Sequence, residues 1–95
     1  MPTLHARAVL FLFDQLTAAG HTVISANTDE RGCPQIFAQS VTGDLAFYFI
    51  RADSGEPTPE ELTRFQALAA KHDVTAYFAA VTSEPELRCL GIRAL

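Results

Sequence analysis

The chain has 95 residues and a mass of 10.3 kDa, which suffices for one small domain and excludes a cofactor domain beside a substrate domain. Hydrophobic residues make up 48% of it, which excludes an intrinsically disordered chain. Seven basic residues against eleven acidic ones give a net charge of −4, which argues against a nucleic-acid partner, because such domains neutralise phosphates with a basic surface.

The first predicted element is a helix over residues 3–19. At 100° per residue, Val9, Leu12 and Leu16 fall on one side of this helix and form its predicted core face. Gly20 follows at the position where helices commonly stop.

Three further apolar side chains on this helix, Leu4, Leu10 and Phe11, suggest a second packed surface. Single exposed apolar residues are common on proteins, so ordinary exposure is the alternative explanation. We expect these three residues to form an interface with a second copy of the chain or with another protein. Three side chains of the sheet would add to this interface if their face of the sheet is not fully covered: Phe47, Phe49 and Tyr77.

The middle of the chain predicts three strands, over residues 21–27, 34–40 and 45–51. Val41–Asp44 separates the last two as a hairpin turn, with Gly43 suited to a positive φ. The third strand is almost continuously apolar, which indicates a central strand that is covered on both faces.

The second half contains the sharpest local signal, a capping box at Thr58–Glu61 with proline at the first helical position. We expect a helix from there to about Lys71, and a strand over residues 74–81. Ser83–Glu86 has the form of a second capping box. The pattern of residues 87–95 fits a short helix or an edge strand equally well.

Together these elements predict a single α/β domain over residues 1–95, in the order α-β-β-β-α-β plus a tail. We expect a mixed sheet of about four strands flanked by helices, in which a helical crossover follows an antiparallel hairpin. A ferredoxin-like α+β sandwich is the alternative architecture.

The segments 20–27, 33–38 and 43–51 resemble the core of the PD-(D/E)xK restriction-endonuclease-like superfamily, closest to its small resolvase-like branch. The resemblance covers about residues 4–81 and rests on the order of elements more than on rare motifs. It implies a restriction-endonuclease-like core in which the third strand ends in Glu-x-Lys.

The catalytic residues of that superfamily are missing from this chain. Its catalytic Asp aligns with Gln35, the Glu of Glu-x-Lys with Phe49 and the Lys with Arg51, while the acidic residue of the first helix falls near Val9. A Mg²⁺ site needs anionic oxygens, and a guanidinium does not act as a base. The resemblance therefore implies a nuclease scaffold with a degenerate site.

Our leading hypothesis is a non-catalytic binding or interaction module on this scaffold, acting as a homodimer. One alternative is a small-molecule-binding or redox protein that uses a pocket lined by Gln35 and Arg51, or the thiol of Cys33. In that pocket the two polar side chains would recognise a carboxylate or phosphate. Otherwise the two form a buried polar pair, satisfied by backbone or by an acid such as Asp53.

A second alternative is a divergent metal-dependent nuclease whose carboxylates have moved, for example to Asp29, Asp44 or Asp53. Otherwise we expect neither metal nor cofactor. Two cysteines are too few for a plant-type iron–sulfur cluster, and the glycines do not form a dinucleotide-binding loop. The three histidines lack zinc-ligand spacing; they are His5, His21 and His72.

The chain also predicts a soluble, cytoplasmic protein. Its apolar beginning, residues 1–13, lacks the features of a signal peptide, and no stretch is long and apolar enough to span a membrane. In a reducing compartment we expect Cys33 and Cys89 to remain free thiols.

Overall fold

The computed structural model describes residues 3–28, 36–53, 57–83 and 86–95. They form two helices and five strands: α1 (Leu4–Ala18), β1 (Thr22–Ala26), β2 (Ile36–Gln39), β3 (Leu45–Ala52), α2 (Pro59–Lys71), β4 (Thr75–Thr82) and β5 (Arg88–Ala94).

The strands form one mixed sheet in the order β1-β2-β3-β4-β5. The first three strands pair antiparallel, β3 and β4 pair parallel across α2, and β5 returns antiparallel to β4. The predicted α/β class and the order α-β-β-β-α-β are confirmed. The sheet has five strands rather than four, because the tail pairs with β4 along its length.

The second capping box, predicted at Ser83–Glu86, does not open a helix. Glu84 and Pro85 lie outside the described residues, and the chain that follows them is the strand β5. Backbone pairing with β4 supplies the hydrogen bonds that a helix would otherwise make, so the strand alternative for residues 87–95 is the correct one.

The helix α1 begins at Thr3, whose hydroxyl accepts a hydrogen bond from the Ala6 N–H at 3.0 Å. It leads into β1 through Gly20, which has a φ of 94°. A Cβ at Gly20 would lie 2.8 Å from Cγ1 of Val41 in the β2–β3 turn. Glycine is needed here for its conformation and also for the close approach of the hairpin.

Successive residues of β3 face opposite sides of the sheet and belong to two separate apolar clusters. Tyr48 and Ile50 pack in the cluster beneath α1, whereas Phe47 and Phe49 pack in the cluster beneath α2. Because the helices cover opposite faces, the domain has three layers, which excludes the ferredoxin-like alternative.

The helix α2 begins with the capping box that the sequence predicts. The Glu61 N–H donates to the Thr58 hydroxyl at 3.2 Å, and the Thr58 N–H donates to Glu61 Oε1 at 3.1 Å. Neither α1 nor α2, the helices of the described ranges, has the length and apolar character of a membrane span.

Candidate functional site

The predicted pocket between Gln35 and Arg51 is described only on its arginine side, since Gln35 lies outside the described residues. Arg51 is half-buried near the end of β3, on the face covered by α2. Its guanidinium forms an ion pair with the carboxylate of Glu61. The acid that balances Arg51 is therefore Glu61 on the facing helix, and not Asp53.

Glu61 has two roles in this arrangement. Its Oε1 accepts the hydrogen bond that completes the capping box, and its Oε2 contacts the guanidinium of Arg51. One carboxylate thus accepts a hydrogen bond from the Thr58 N–H at the start of α2 and also connects this turn to the end of β3. This contact makes Arg51 a structural link between two layers.

Two of the positions that the resemblance assigns to a nuclease site are filled by core packing. Phe49 is 1% exposed and stacks on Phe65 of α2, with ring centroids 4.0 Å apart. Val9 on α1 is fully buried in the opposite cluster. Neither side chain offers an oxygen ligand, and both are enclosed by apolar neighbours.

The relocated-carboxylate hypothesis meets a geometric obstacle. Asp44 precedes β3 and Asp53 follows it, so the eight residues of the extended strand lie between them and hold them about 30 Å apart. They cannot bind the same ion, and Asp29 lies outside the described residues. Within the described part of the chain, no three His, Cys, Asp or Glu residues are grouped to hold a metal.

Asp53 instead joins the carboxyl ends of the parallel strands β3 and β4. Its carboxylate accepts a short hydrogen bond from the Ser83 hydroxyl and a second one, at 2.9 Å, from the Ser83 N–H. Its own N–H donates to the Val81 carbonyl at 2.9 Å. The Ser83 hydroxyl, and then the Ser83 backbone, lower the pKa of Asp53 below its ordinary value.

A polar cavity of about 200 Å³ lies at the opposite end of the sheet, beside the β2–β3 turn. Tyr48 and Tyr77 form its aromatic wall, with ring centroids 5.2 Å apart and planes 18° from parallel. Most of the remaining lining is polar, and the described residues that line the cavity are His21, Ser40, Thr42, Asp44, Leu45, Ala46, Tyr48, Thr75 and Tyr77.

Hydrogen bonds within the turn fix the polar rim of this cavity. The Thr42 hydroxyl donates to Asp44 Oδ2 at 2.8 Å and lies 2.9 Å from the Ser40 hydroxyl. The Asp44 N–H donates to the same Ser40 hydroxyl at 3.1 Å. These bonds hold the Asp44 carboxylate in place and leave it capacity for further donors.

The predicted interface residues on α1 differ in their surroundings. Leu4 and Leu10 are exposed, whereas Phe11 is half-buried and packs against the cluster beneath α1. Side chains six residues apart on a helix point in directions about 120° apart, so Leu4 and Leu10 lie on different flanks. Phe47 and Phe49 were expected to join them only if their sheet face is open, and that condition is not met, because α2 covers this face.

Exposed apolar side chains also occur on the outer strand β5. Leu90 is 64% exposed and Ile92 is 44% exposed. Leu90 stands at a bulge, because Gly91 pairs with Ala80 and Cys89 with the next residue, Val81. Cys89 is a half-buried free thiol, whereas Cys33 lies outside the described residues.

A comparison with known families finds a match over residues 2–86 to a domain of unknown function, DUF8840. The match covers most of the sheet and both helices. The chain belongs to the DUF8840 family. No curated protein sequence matches the chain.

The sequence does not reveal three features of the structure: the partner of Arg51, the Asp53–Ser83 contact and the polar cavity. The Asp53–Ser83 contact spans 30 residues, and the cavity draws on residues from 21 to 77. The partner of Arg51 could have been suspected from Glu61. One oxygen of this glutamate completes the capping box, and the other is left to contact the strand beneath α2.

Proposed function

We propose that this domain is a non-catalytic interaction module that forms a homodimer through the outer edge of β5. The observation that carries the proposal is the pair of exposed apolar side chains, Leu90 and Ile92, on the last strand of the sheet. A strand in this position presents backbone N–H and C=O groups that pair readily with another strand.

The sequence of β5 supports a second copy of the chain as the partner. If two copies pair antiparallel about Gly91, Leu90 of one faces Ile92 of the other, which places apolar side chains together. In this register Arg88 faces Ala94 and Arg93 faces Cys89, so no two arginines stand opposite each other. The edge is thus self-complementary, as a two-fold interface requires.

Packing at Phe49 and the ion pair at Arg51 support the non-catalytic part of the proposal. Phe49 stacks against Phe65, and Arg51 is engaged with Glu61, so both side chains hold layers of the fold together. We further propose a restriction-endonuclease-like origin for this scaffold, on the ground of its order of helices and strands.

The test is the solution mass, measured by light scattering during gel filtration at two protein concentrations. We expect a species near twice 10.3 kDa. A double substitution, Leu90→Lys with Ile92→Lys, places like charges across the interface and is expected to give a monomer. Val41→Lys is the matched control, because Val41 is exposed on the far turn, and it is expected to remain a dimer.

Two outcomes overturn the interface. The first is a monomeric wild-type protein at both concentrations. The second is a dimer that survives the double substitution on β5 but dissociates with Leu10→Lys on α1, or with Ile24→Lys on the other outer strand. Circular dichroism of each variant verifies that the chain is folded when its mass is measured.

A further inference from the structure

The polar cavity beside the β2–β3 turn has the chemistry of a binding site. Among the described residues that line it, Asp44 is the one acidic side chain, and the basic side chains are limited to His21, with neither lysine nor arginine. The hydroxyl groups around it are all able to accept hydrogen bonds, and belong to Ser40, Thr42, Tyr48, Thr75 and Tyr77. An oxygen-rich lining with one fixed negative charge favours a ligand that is positively charged and carries N–H donors.

The volume of the cavity limits the size of this ligand. Pockets for drug-sized ligands usually measure roughly 300–1,000 Å³, so a cavity of about 200 Å³ is smaller than these. The volume therefore suits a ligand of the size of a small amine.

Two of the lining side chains, Asp44 and Tyr48, are held by contacts within the protein. Thr42 and Ser40 hold Asp44 through the hydrogen bonds of the turn, and Tyr48 is fixed by its stack on Tyr77 and by burial to 6% exposure. Burial, and then the neighbouring Tyr77, raise the pKa of Tyr48, so its hydroxyl is protonated at neutral pH. Groups held in advance lose little freedom when a ligand binds.

We infer that this cavity binds a small organic cation with a primary ammonium group, whose charge is matched by Asp44 and whose remaining N–H groups donate to the surrounding hydroxyls. An ammonium group supplies three donors and no acceptor, which suits a lining dominated by oxygen acceptors. Tyr48 and Tyr77 line the same cavity as Asp44, and aromatic rings add a favourable surface for a cation. This inference does not depend on the proposed dimer, because β5 contributes none of the lining residues.

The test compares three probes of nearly equal size: ethanolamine, ethylene glycol and glycolate, which are cationic, neutral and anionic. Amide chemical shifts are followed by NMR during titration of the full chain at neutral pH. We expect ethanolamine to give saturable shifts in the millimolar range at residues 40–48 and 75–77. Ethylene glycol and glycolate are expected to give none that saturate.

Two substitutions locate the site. Asp44→Asn keeps the shape of the turn and removes the charge, and we expect it to weaken ethanolamine binding by about tenfold or more, since a charge-assisted contact is lost. Asp14→Asn on the exposed side of α1 changes the net charge equally and is expected to leave binding unchanged. If Asp44→Asn does not fold, Tyr48→Phe carries the test, with an expected severalfold loss.

The inference is overturned if ethanolamine shows no saturable shift, or if glycolate binds as well as ethanolamine. It is also overturned if magnesium chloride saturates the same amides while ethanolamine does not, because the site would then prefer an inorganic cation. Equal ethanolamine affinity of Asp44→Asn and the wild-type chain also overturns the inference, because the charge of Asp44 would then not contribute to binding.

Discussion

Asp53 shows how a single residue combines backbone strain with a long-range contact. Its φ of 58° lies in the left-handed region, which aspartate and asparagine tolerate better than most residues. Its carboxylate then accepts two hydrogen bonds from Ser83 at the end of the neighbouring strand. The unusual backbone angle is thus stabilised by the contact that it makes possible.

We predict that Asp53→Ala is more destabilising than Asp53→Asn, because alanine loses both the tolerated backbone conformation and the acceptor for Ser83. Urea unfolding at pH 7 gives the order of stability. Asp73→Asn is the matched control, since Asp73 has a φ of 54° at the end of α2 and asparagine keeps that conformation. Equal midpoints for Asp53→Ala and the wild-type chain would contradict the role assigned to Asp53.

The lowered pKa of Asp53 also sets the sign of a pH effect. The folded carboxyl releases its proton more readily than the unfolded one, so its contribution to stability is complete above the ordinary pKa near 4. That contribution is lost as the pH falls through the lower, folded-state pKa. The stability difference between the wild-type chain and Asp53→Asn should therefore shrink in acid, and a constant difference between pH 7 and pH 3 would exclude this linkage.

At the scale of elements, the start of α2 combines a local signal with a tertiary one. Thr58 and Glu61 complete the capping box, and the second oxygen of Glu61 contacts Arg51 on β3. The capping box depends on a spacing of three residues, so the sequence reveals it. The ion pair depends on how α2 lies across the sheet, which no local spacing specifies.

We predict that Thr58→Ala lowers the free energy of unfolding by about 1 kcal/mol, because an orphan N–H of the first turn loses its acceptor. Glu61→Gln should cost less than this, since glutamine can still complete the capping box and the exposed part of the ion pair is screened by solvent. Urea midpoints at a constant m-value measure both effects.

Thr63→Ala is the control for this series, because Thr63 is an exposed threonine within the same helix. Its hydroxyl bonds back to the Pro59 carbonyl, and alanine has the higher helix propensity. We expect a change within about 0.5 kcal/mol. A loss at Thr63 as large as that at Thr58 would show that any exposed threonine of α2 matters equally, and the capping argument would then be wrong.

The elements that the sequence predicts are those with a local cause. The helix over 59–71 follows from its capping box, and the turn at 41–44 places a glycine where φ is 93°. The sequence leaves the tail at 87–95 ambiguous and suggests a helix at Ser83–Glu86, because pairing with β4 is a tertiary effect. For the site, the sequence points to Arg51, but its partner Glu61 and the cavity at Tyr48 depend on the assembled fold.

At the scale of the whole molecule, β3 couples the two apolar clusters that lie on opposite faces of the sheet. Phe49 is buried beneath α2, and the next residue, Ile50, is buried beneath α1. A small domain has a total stability of about 5–15 kcal/mol, so the loss of either cluster removes a large part of it. We therefore expect the two faces to unfold together.

The two tyrosines allow this expectation to be tested, because Tyr48 and Tyr77 both pack on the α1 face and the chain has no tryptophan. We predict that Phe49→Ala, on the opposite face, lowers the free energy of unfolding by about 3–5 kcal/mol. It should shift the urea transition of tyrosine fluorescence and that of far-UV circular dichroism by the same amount. Ile50→Val should shift both by a smaller amount, about 0.5–1.5 kcal/mol. The opposite outcome is an unchanged urea midpoint of tyrosine fluorescence in Phe49→Ala together with a shifted midpoint of circular dichroism. The α1 face would then be a separate folding unit, because the cluster around Tyr48 would stay folded after the packing beneath α2 was lost. This result would refute the coupling through β3.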